Sequence, residues 1–184
     1  MEKRFLKLLN SINRPGVGEL ANWLLDSDFF KAPASTKYHG SVEGGLLEHS
    51  LIVYDNLTKF SPLFLLDYSR DTFIICGLLH DICKANFYKT EMRWRKDENN
   101  QWEQYATYGI DDQFPLGHGE KSLYLIRKFI KLSDDEAMAI RWHMGAWGTE
   151  NYTERQTLSA AMDKYPLILA LQMADQAATY WDQK

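Results

Sequence analysis

Six side chains able to offer an imidazole nitrogen or a carboxylate oxygen follow one another along the chain as His49, His80, Asp81, His118, His143 and Asp175. Each lies in or beside a segment with helical patterning. Nitrogen and oxygen donors with no thiolate among them suit borderline and hard divalent ions, so Fe, Mn, Co, Ni, Zn or Mg are the metals such a set would take. A single His-Asp pair would say little, because a histidine on an apolar face is more often a satisfied core residue than a ligand. Here four of the five histidines occupy these positions, and the fifth, His39, lies shortly before the first. Asp81 follows Leu78-Leu79 and Asp175 follows Leu171 to Met173; burying either carboxylate unpaired costs several kcal/mol, and a shared cation would offset that.

The elements that carry these donors have to bring them together. Adjacent His80 and Asp81 differ by about 100° around a helix, so both reach one ion only from a helix end or an edge facing the site. Closing four helices around that edge would bring in His49 and Asp175. Apolar spacing predicts amphipathic helices over 3–12 and 17–30, split by Pro15-Gly16, then a polar loop from Lys31 to Ser41. A helix from Glu43 to Phe60 carries His49. Asp71 is the expected N-cap of a buried helix from Thr72 to Lys84, with His80-Asp81 near its end. Alternation of aromatic and charged residues around Asp97-Glu98-Asn99-Asn100 predicts a β-hairpin over about 87–108. After Pro115 a helix running to about Lys131 starts near His118. Ser133-Asp134-Asp135-Glu136 reads as a capping box opening the helix that ends near His143. Tyr165-Pro166 opens the last helix, with Pro166 in its first turn and Asp175 within it.

At 184 residues with 45% hydrophobic and 14% aromatic content, the chain can bury one substantial core, which predicts a single domain over 1–184. The longest apolar run, around Leu167 to Leu171, falls far short of the roughly 18 residues a bilayer span requires, and Met1-Glu2-Lys3-Arg4 opens no secretory signal. The expectation is a cytoplasmic protein with no membrane partner. A net charge of −4 and a pI near 5.7 argue against a broad basic surface for long duplex nucleic acid. Cys76 and Cys83, about 10 Å apart along one expected helix, are read as buried reduced thiols.

The stretches Glu43-Gly44-Gly45-Leu46-Leu47-Glu48-His49, Gly77-Leu78-Leu79-His80-Asp81-Ile82-Cys83-Lys84, Gly117-His118-Gly119-Glu120, Arg141-Trp142-His143 and Ala174-Asp175 resemble the HD-domain metal-dependent phosphohydrolase superfamily. The likeness covers about 39–181, the metal-binding core, with 1–30 as N-terminal helices packing on it. The Gly-Gly-Leu-Leu-Glu-His and Gly-His elements are most similar to the branch containing bacterial 3′-to-5′ exoribonucleases, though without their accompanying OB domain. The resemblance implies an all-α HD-domain helical bundle with the hairpin inserted. It also implies two divalent ions: His49, His80, Asp81 and Asp175 hold the first, and His118 and His143 hold a second bridged by Asp81. Two-metal members often have adjacent histidines at the fourth position, where this chain has Trp142 and Met144 flanking His143.

On this reading the ions lower the pKa of water and neutralise phosphoryl oxygens, with no protein nucleophile. Asp81 and Lys84 are the catalytic candidates. Lys84, one turn past Asp81, would contact a substrate phosphate, or would simply be a helix-terminal lysine favoured by the dipole. His39 and Lys37, in the loop before the His49 helix, are further substrate-binding candidates. Glu48 and Glu120 could orient rings or waters, or lie on the surface. Arg141 is read as a structural ion-pair former. The hairpin mixes Lys89, Arg93, Arg95 and Lys96 with aromatics, as a nucleotide lid or a surface packed on a helix would. The leading expectation is hydrolysis of a phosphoester in a nucleotide or short oligonucleotide, a small phosphorylated substrate. The alternatives are a single-strand 3′-5′ nuclease, a di-iron oxygenase with the same ligand order, and a metal- and nucleotide-binding module without turnover.

Overall fold

The structure, a computed structural model, describes residues 1–63 and 66–183. Its helices are α1 (Glu2–Leu9), α2 (Val17–Asp26), α3 (Gly45–Phe60), α4 (Arg70–Leu79), α5 (His118–Arg127), α6 (Asp134–Trp142), α7 (Tyr152–Lys164) and α8 (Leu167–Ala177). A hairpin of β1 (Tyr88–Lys96) and β2 (Trp102–Ile110) is inserted between α4 and α5, so the expected helical bundle with a small hairpin is what forms. No described helix is long and apolar enough to cross a membrane.

Nearly every residue of α4 is buried, from Thr72 through Leu79, so it runs through the centre with α3, α6 and α1 packed against it. α8 lies against α3 and α6, and α5 against α6. One apolar core reaches from Phe5 and Leu9 of α1 to Ala178 beyond α8. Two crossings need glycine. A Cβ on Gly77 would lie 2.5 Å from the Cα of Tyr54, and one on Gly119 would collide with the carbonyl of Arg141. The first lets α4 lie flush on α3, and the second lets α5 lie flush on α6. Each crossing draws together two of the histidine-bearing elements.

α4 departs from its expected limits at both ends. Its N-cap is Ser69, whose Oγ accepts from the Thr72 N–H at 3.2 Å. Asp71 sits inside the first turn instead, where its carboxylate accepts from the Asn13 N–H at 3.1 Å. The helix stops at Leu79 rather than running to Lys84: Asp81 leaves the helical region with φ −104° and ψ 18°, and Ile82–Lys84 form a separate 3-10 turn. Cys76 and Cys83 therefore lie on different elements, and both are buried free thiols. Pro166 is the N-cap of α8, one residue before its first turn. Between α6 and α8 the sequence reading anticipated no helix, yet α7 forms, capped by Asn151 accepting from the Glu154 N–H at 3.0 Å. Only Leu158 and Ala161 of α7 are buried, which leaves it almost no apolar stripe to detect.

The capping box at Ser133 and Glu136 forms as expected and is also a tertiary joint. The fully buried Glu136 carboxylate accepts from Arg14 Nη1 and Nη2, both at 2.6 Å, from Thr72 Oγ1 at 2.8 Å and from the Ser133 N–H at 2.9 Å. The α1–α2 linker, α4 and α6 meet on this one group. Burial alone would raise the Glu136 pKa, but the Arg14, Ser133 and Thr72 donors outweigh it and hold the pKa below the usual 4.5. A folded-state pKa below the unfolded one stabilises the protein above the unfolded value, and that contribution fades as pH falls through it. Glu136→Gln should therefore cost about 2–3 kcal/mol at pH 7 in urea unfolding, and the gap from the wild type should narrow below about pH 4. A gap independent of pH would contradict this account.

Candidate metal centre

Helix ends set the position of most of the six donors. His80 and His143 are the C-cap residues of α4 and α6, and His118 opens α5. Asp81 follows directly where α4 breaks, His49 lies in the second turn of α3, and Asp175 near the end of α8. The break after Leu79 is what lets adjacent His80 and Asp81 face one point, as the sequence geometry required. Donor atoms of three groups, namely His49, His80 and Asp81; His80, His143 and Asp175; and Asp81, His118 and His143, each lie within 4.8 Å of one another.

Asp81 is the hub, and its two oxygens face different sets. Oδ2 lies 3.7 Å from His49 Nε2 and 3.6 Å from His80 Nε2, while Oδ1 lies 2.7 Å from His118 Nε2 and 3.5 Å from His143 Nε2. Asp175 Oδ1 lies 3.1 Å from His49 Nε2. The outer nitrogens face oxygen: His80 Nδ1 lies 3.0 Å from the Gly77 carbonyl, His143 Nδ1 2.7 Å from the Ile140 carbonyl, and His49 Nδ1 2.9 Å from Gln183 Oε1. In the tautomer whose Nδ1–H donates to that oxygen, a neutral ring leaves Nε2 as a bare acceptor.

The interior is thus lined with lone pairs. Nε2 of His49 and Nε2 of His80 face each other at 3.3 Å, and buried Nε2 of His143 has no hydrogen-bond partner. An extra proton does not resolve this at His80, where burial chiefly pushes the pKa down to about 3. Burial also works against charge on Asp81 and Asp175. Lys84 leads, with His118, in holding Asp81 well below the ordinary carboxylate range nonetheless, and the adjacent His49 ring leads in holding Asp175 below it. Acceptors facing acceptors around two carboxylates call for a cation, and these residues fit a divalent one.

A family model described as HD domain matches residues 46–176, well over half of the chain. The chain belongs to the HD-domain family. No curated protein and no solved structure gives a match. The six donors identified from the sequence all fall within the HD match; HD domains bind divalent metals, and these His and Asp groups could hold one.

The other candidates divide. Lys84 Nζ lies 2.6 Å from Asp81 Oδ2, with its side chain mostly buried. His39 packs its ring on His49, centroids 5.0 Å apart, and both its ring nitrogens are buried without partners. Burial, with His49 and Lys84 beside it, lowers its pKa to about 4, so the ring is neutral at pH 7. Lys37 is exposed on the same loop, and no described hydrogen bond or ion pair joins it to the centre. Glu48 is exposed too, while Glu120 pairs with Arg141, which also stacks over Trp142 at 3.9 Å. Two groups beside the histidines escaped the sequence reading: Gln183 on His49, and Cys83, whose Sγ lies 3.4 Å from His118 Nδ1. No sequence signal marked either one. The carbonyl partners of His80 and His143, by contrast, are what any helix C-terminus leaves free.

Because ligands from α3, α5, α6, α8 and the end of α4 would share the ions, metal binding is coupled to stability. Adding EDTA to metal-loaded protein should lower Tm by several degrees, and Asp81→Ala should lose both the bound metal and the EDTA response. Unchanged metal content in Asp81→Ala, measured by elemental analysis, would refute the assignment.

Proposed function

We propose that this HD domain is a metal-dependent phosphohydrolase acting on a phosphoester of a nucleotide or short oligonucleotide. The observation that carries this reading is the division of the Asp81 carboxylate between two donor sets, which suits a bridging ligand of an ion pair. His49, His80, Asp81 and Asp175 would hold one ion, and Asp81, His118 and His143 the other. Such ions supply Lewis acidity, easing deprotonation of water and neutralising phosphoryl oxygens.

The chain's own residues would do the rest. Lys84 puts an ammonium at the rim of the donor set, next to where phosphoryl charge gathers, and Asp81 keeps it protonated against the effect of burial. His39, neutral and with both nitrogens unpartnered, can donate to a phosphate oxygen from the opposite loop. Lys37 on that loop would add long-range attraction for an anion.

A cavity of about 250 Å³ between residues 28–43 and the hairpin base has Tyr88, Tyr108, Thr90 and Lys31 in its lining, together with the carboxylates Asp28 and Glu43. Tyr88, whose pKa is raised chiefly by burial, lies near both Lys84 and Asp81. The two tyrosine rings offer faces for a base whose phosphate reaches the metal centre. Beyond its base the hairpin stands largely in solvent. Met92, Trp94 and Trp102 stay exposed, and its cations are already engaged, Arg93 with Glu91 at 2.5 Å and Arg95 with Glu103 at 2.6 Å. The substrate-covering part would therefore be the base rather than the tip. Two free thiols suit a reducing, cytoplasmic compartment.

The decisive experiment is elemental analysis followed by a metal-by-substrate screen of mononucleotides and labelled single strands, under air and without oxygen. Oxygen-independent release of phosphate or a phosphorylated product is expected. Strict oxygen dependence with no phosphate release would replace hydrolysis by oxygenation. Lys84→Ala should keep its metal and lose about 100-fold in kcat/KM, and full activity there would remove the phosphate role.

A further inference from the structure

His49, His80 and His143 each turn Nε2 to the centre and need an oxygen acceptor for an Nδ1–H, and the chain meets that need in two ways. His80 and His143 cap their helices, so the carbonyls three residues back, Gly77 and Ile140, are no longer claimed by a continuing ladder and serve the rings locally. His49 has no such recourse. It lies inside α3, where the ladder continues through it, and the Leu46 carbonyl three residues back also accepts from Ser50 Oγ at 2.9 Å.

Its acceptor comes from the far end of the chain. Gln183 Oε1 lies 2.9 Å from His49 Nδ1 across a sequence separation of 134. Beyond α8, Ala178–Asp182 widen into a π turn closed by the Gln183 N–H on the Ala178 carbonyl at 3.1 Å. That wider register re-aims the side chains that follow it. The neighbouring Asp182 is tethered as well, its Oδ2 accepting from Asn56 Nδ2 at 2.8 Å, and Asn56 stands two turns after His49 on α3. Two successive residues thus dock on the helix that carries His49. The HD match ends at residue 176, before this turn begins.

We propose that Gln183 is a positioning residue of the metal centre: its amide oxygen holds His49 in the tautomer with a bare Nε2 and so sets the affinity of the ion shared with His80, Asp81 and Asp175. The inference rests on the metal reading above. A neutral amide achieves this without adding a third carboxylate beside Asp81 and Asp175.

The test uses the full chain freed of metal, with Mn²⁺ alone titrated calorimetrically into the wild type, Gln183→Leu, Gln183→Glu and Asp175→Asn. Imidazole nitrogen NMR of the metal-free proteins reports the His49 tautomer. Gln183→Leu should bind the first Mn²⁺ about 10- to 100-fold more weakly and lose the single Nδ1–H form of His49. Gln183→Glu, which keeps the acceptor, should stay within a few fold of the wild type. Wild-type affinity and an unchanged tautomer in Gln183→Leu would overturn the inference, as would equal losses in the Leu and Glu variants. Wild-type Mn²⁺ binding in Asp175→Asn would instead overturn the metal reading on which the inference stands.

Discussion

One constraint organises this molecule: a set of hydrogen-bond acceptors is buried facing itself. Nε2 of His49 and His80, Nε2 of His143 and the oxygens of Asp81 converge, and among the described residues the donors that face them are Lys84 and His118. Left to solvation such groups would separate, since each buried acceptor without a donor costs about 1–3 kcal/mol. The surrounding helices prevent that. α4 is apolar almost all round and cannot move without exposing its buried face, so its end, carrying His80 and Asp81, is fixed by packing and not by the polar groups themselves.

Helix termination is the device that turns packing into ligand geometry. Where α4 and α6 stop, unclaimed carbonyls orient His80 and His143, and the backbone turn at Asp81 brings its carboxylate to the point those rings face. Gly77 and Gly119 set the separations on which this depends, by letting α3 touch α4 and α5 touch α6 backbone to backbone. A bulkier residue at either position would push apart the same helices whose histidines must meet. The ligand set and the two glycines therefore form one mechanical unit.

Much of this was legible in the residues. The six donors could be named because their types are chemically specific and their apolar neighbours make an unpartnered acid expensive, and the capping box at Ser133 marked where α6 begins. Other features were not. Asp71 looked like a cap because Asp caps often do, but Ser69 reaches the Thr72 N–H while Asp71 is taken by Asn13, a tertiary contact no local pattern contains. The end of α4 was placed five residues late because Ile82 and Cys83 keep the apolar pattern beyond the break. α7 lacks the stripe that reveals a helix, and Gln183 meets His49 across a sequence separation of 134.

Lys84 shows how one group comes to serve both stability and chemistry. Burial disfavours its charge and that of Asp81 alike, yet at 2.6 Å each supplies what the other lacks, and the pair keeps both ionised. Asp81 Oδ2 is also the oxygen that faces His49 and His80, so any cation entering there takes over part of the role the ammonium plays. Under the proposed function, an ammonium relieved of that role would stay at the rim on its 3-10 turn, free to meet an incoming anion. Under that function, the same side chain that makes the carboxylate tolerable within the apolar core would be the one to meet a phosphate, and the electrostatics of folding and of substrate recognition would be a single arrangement.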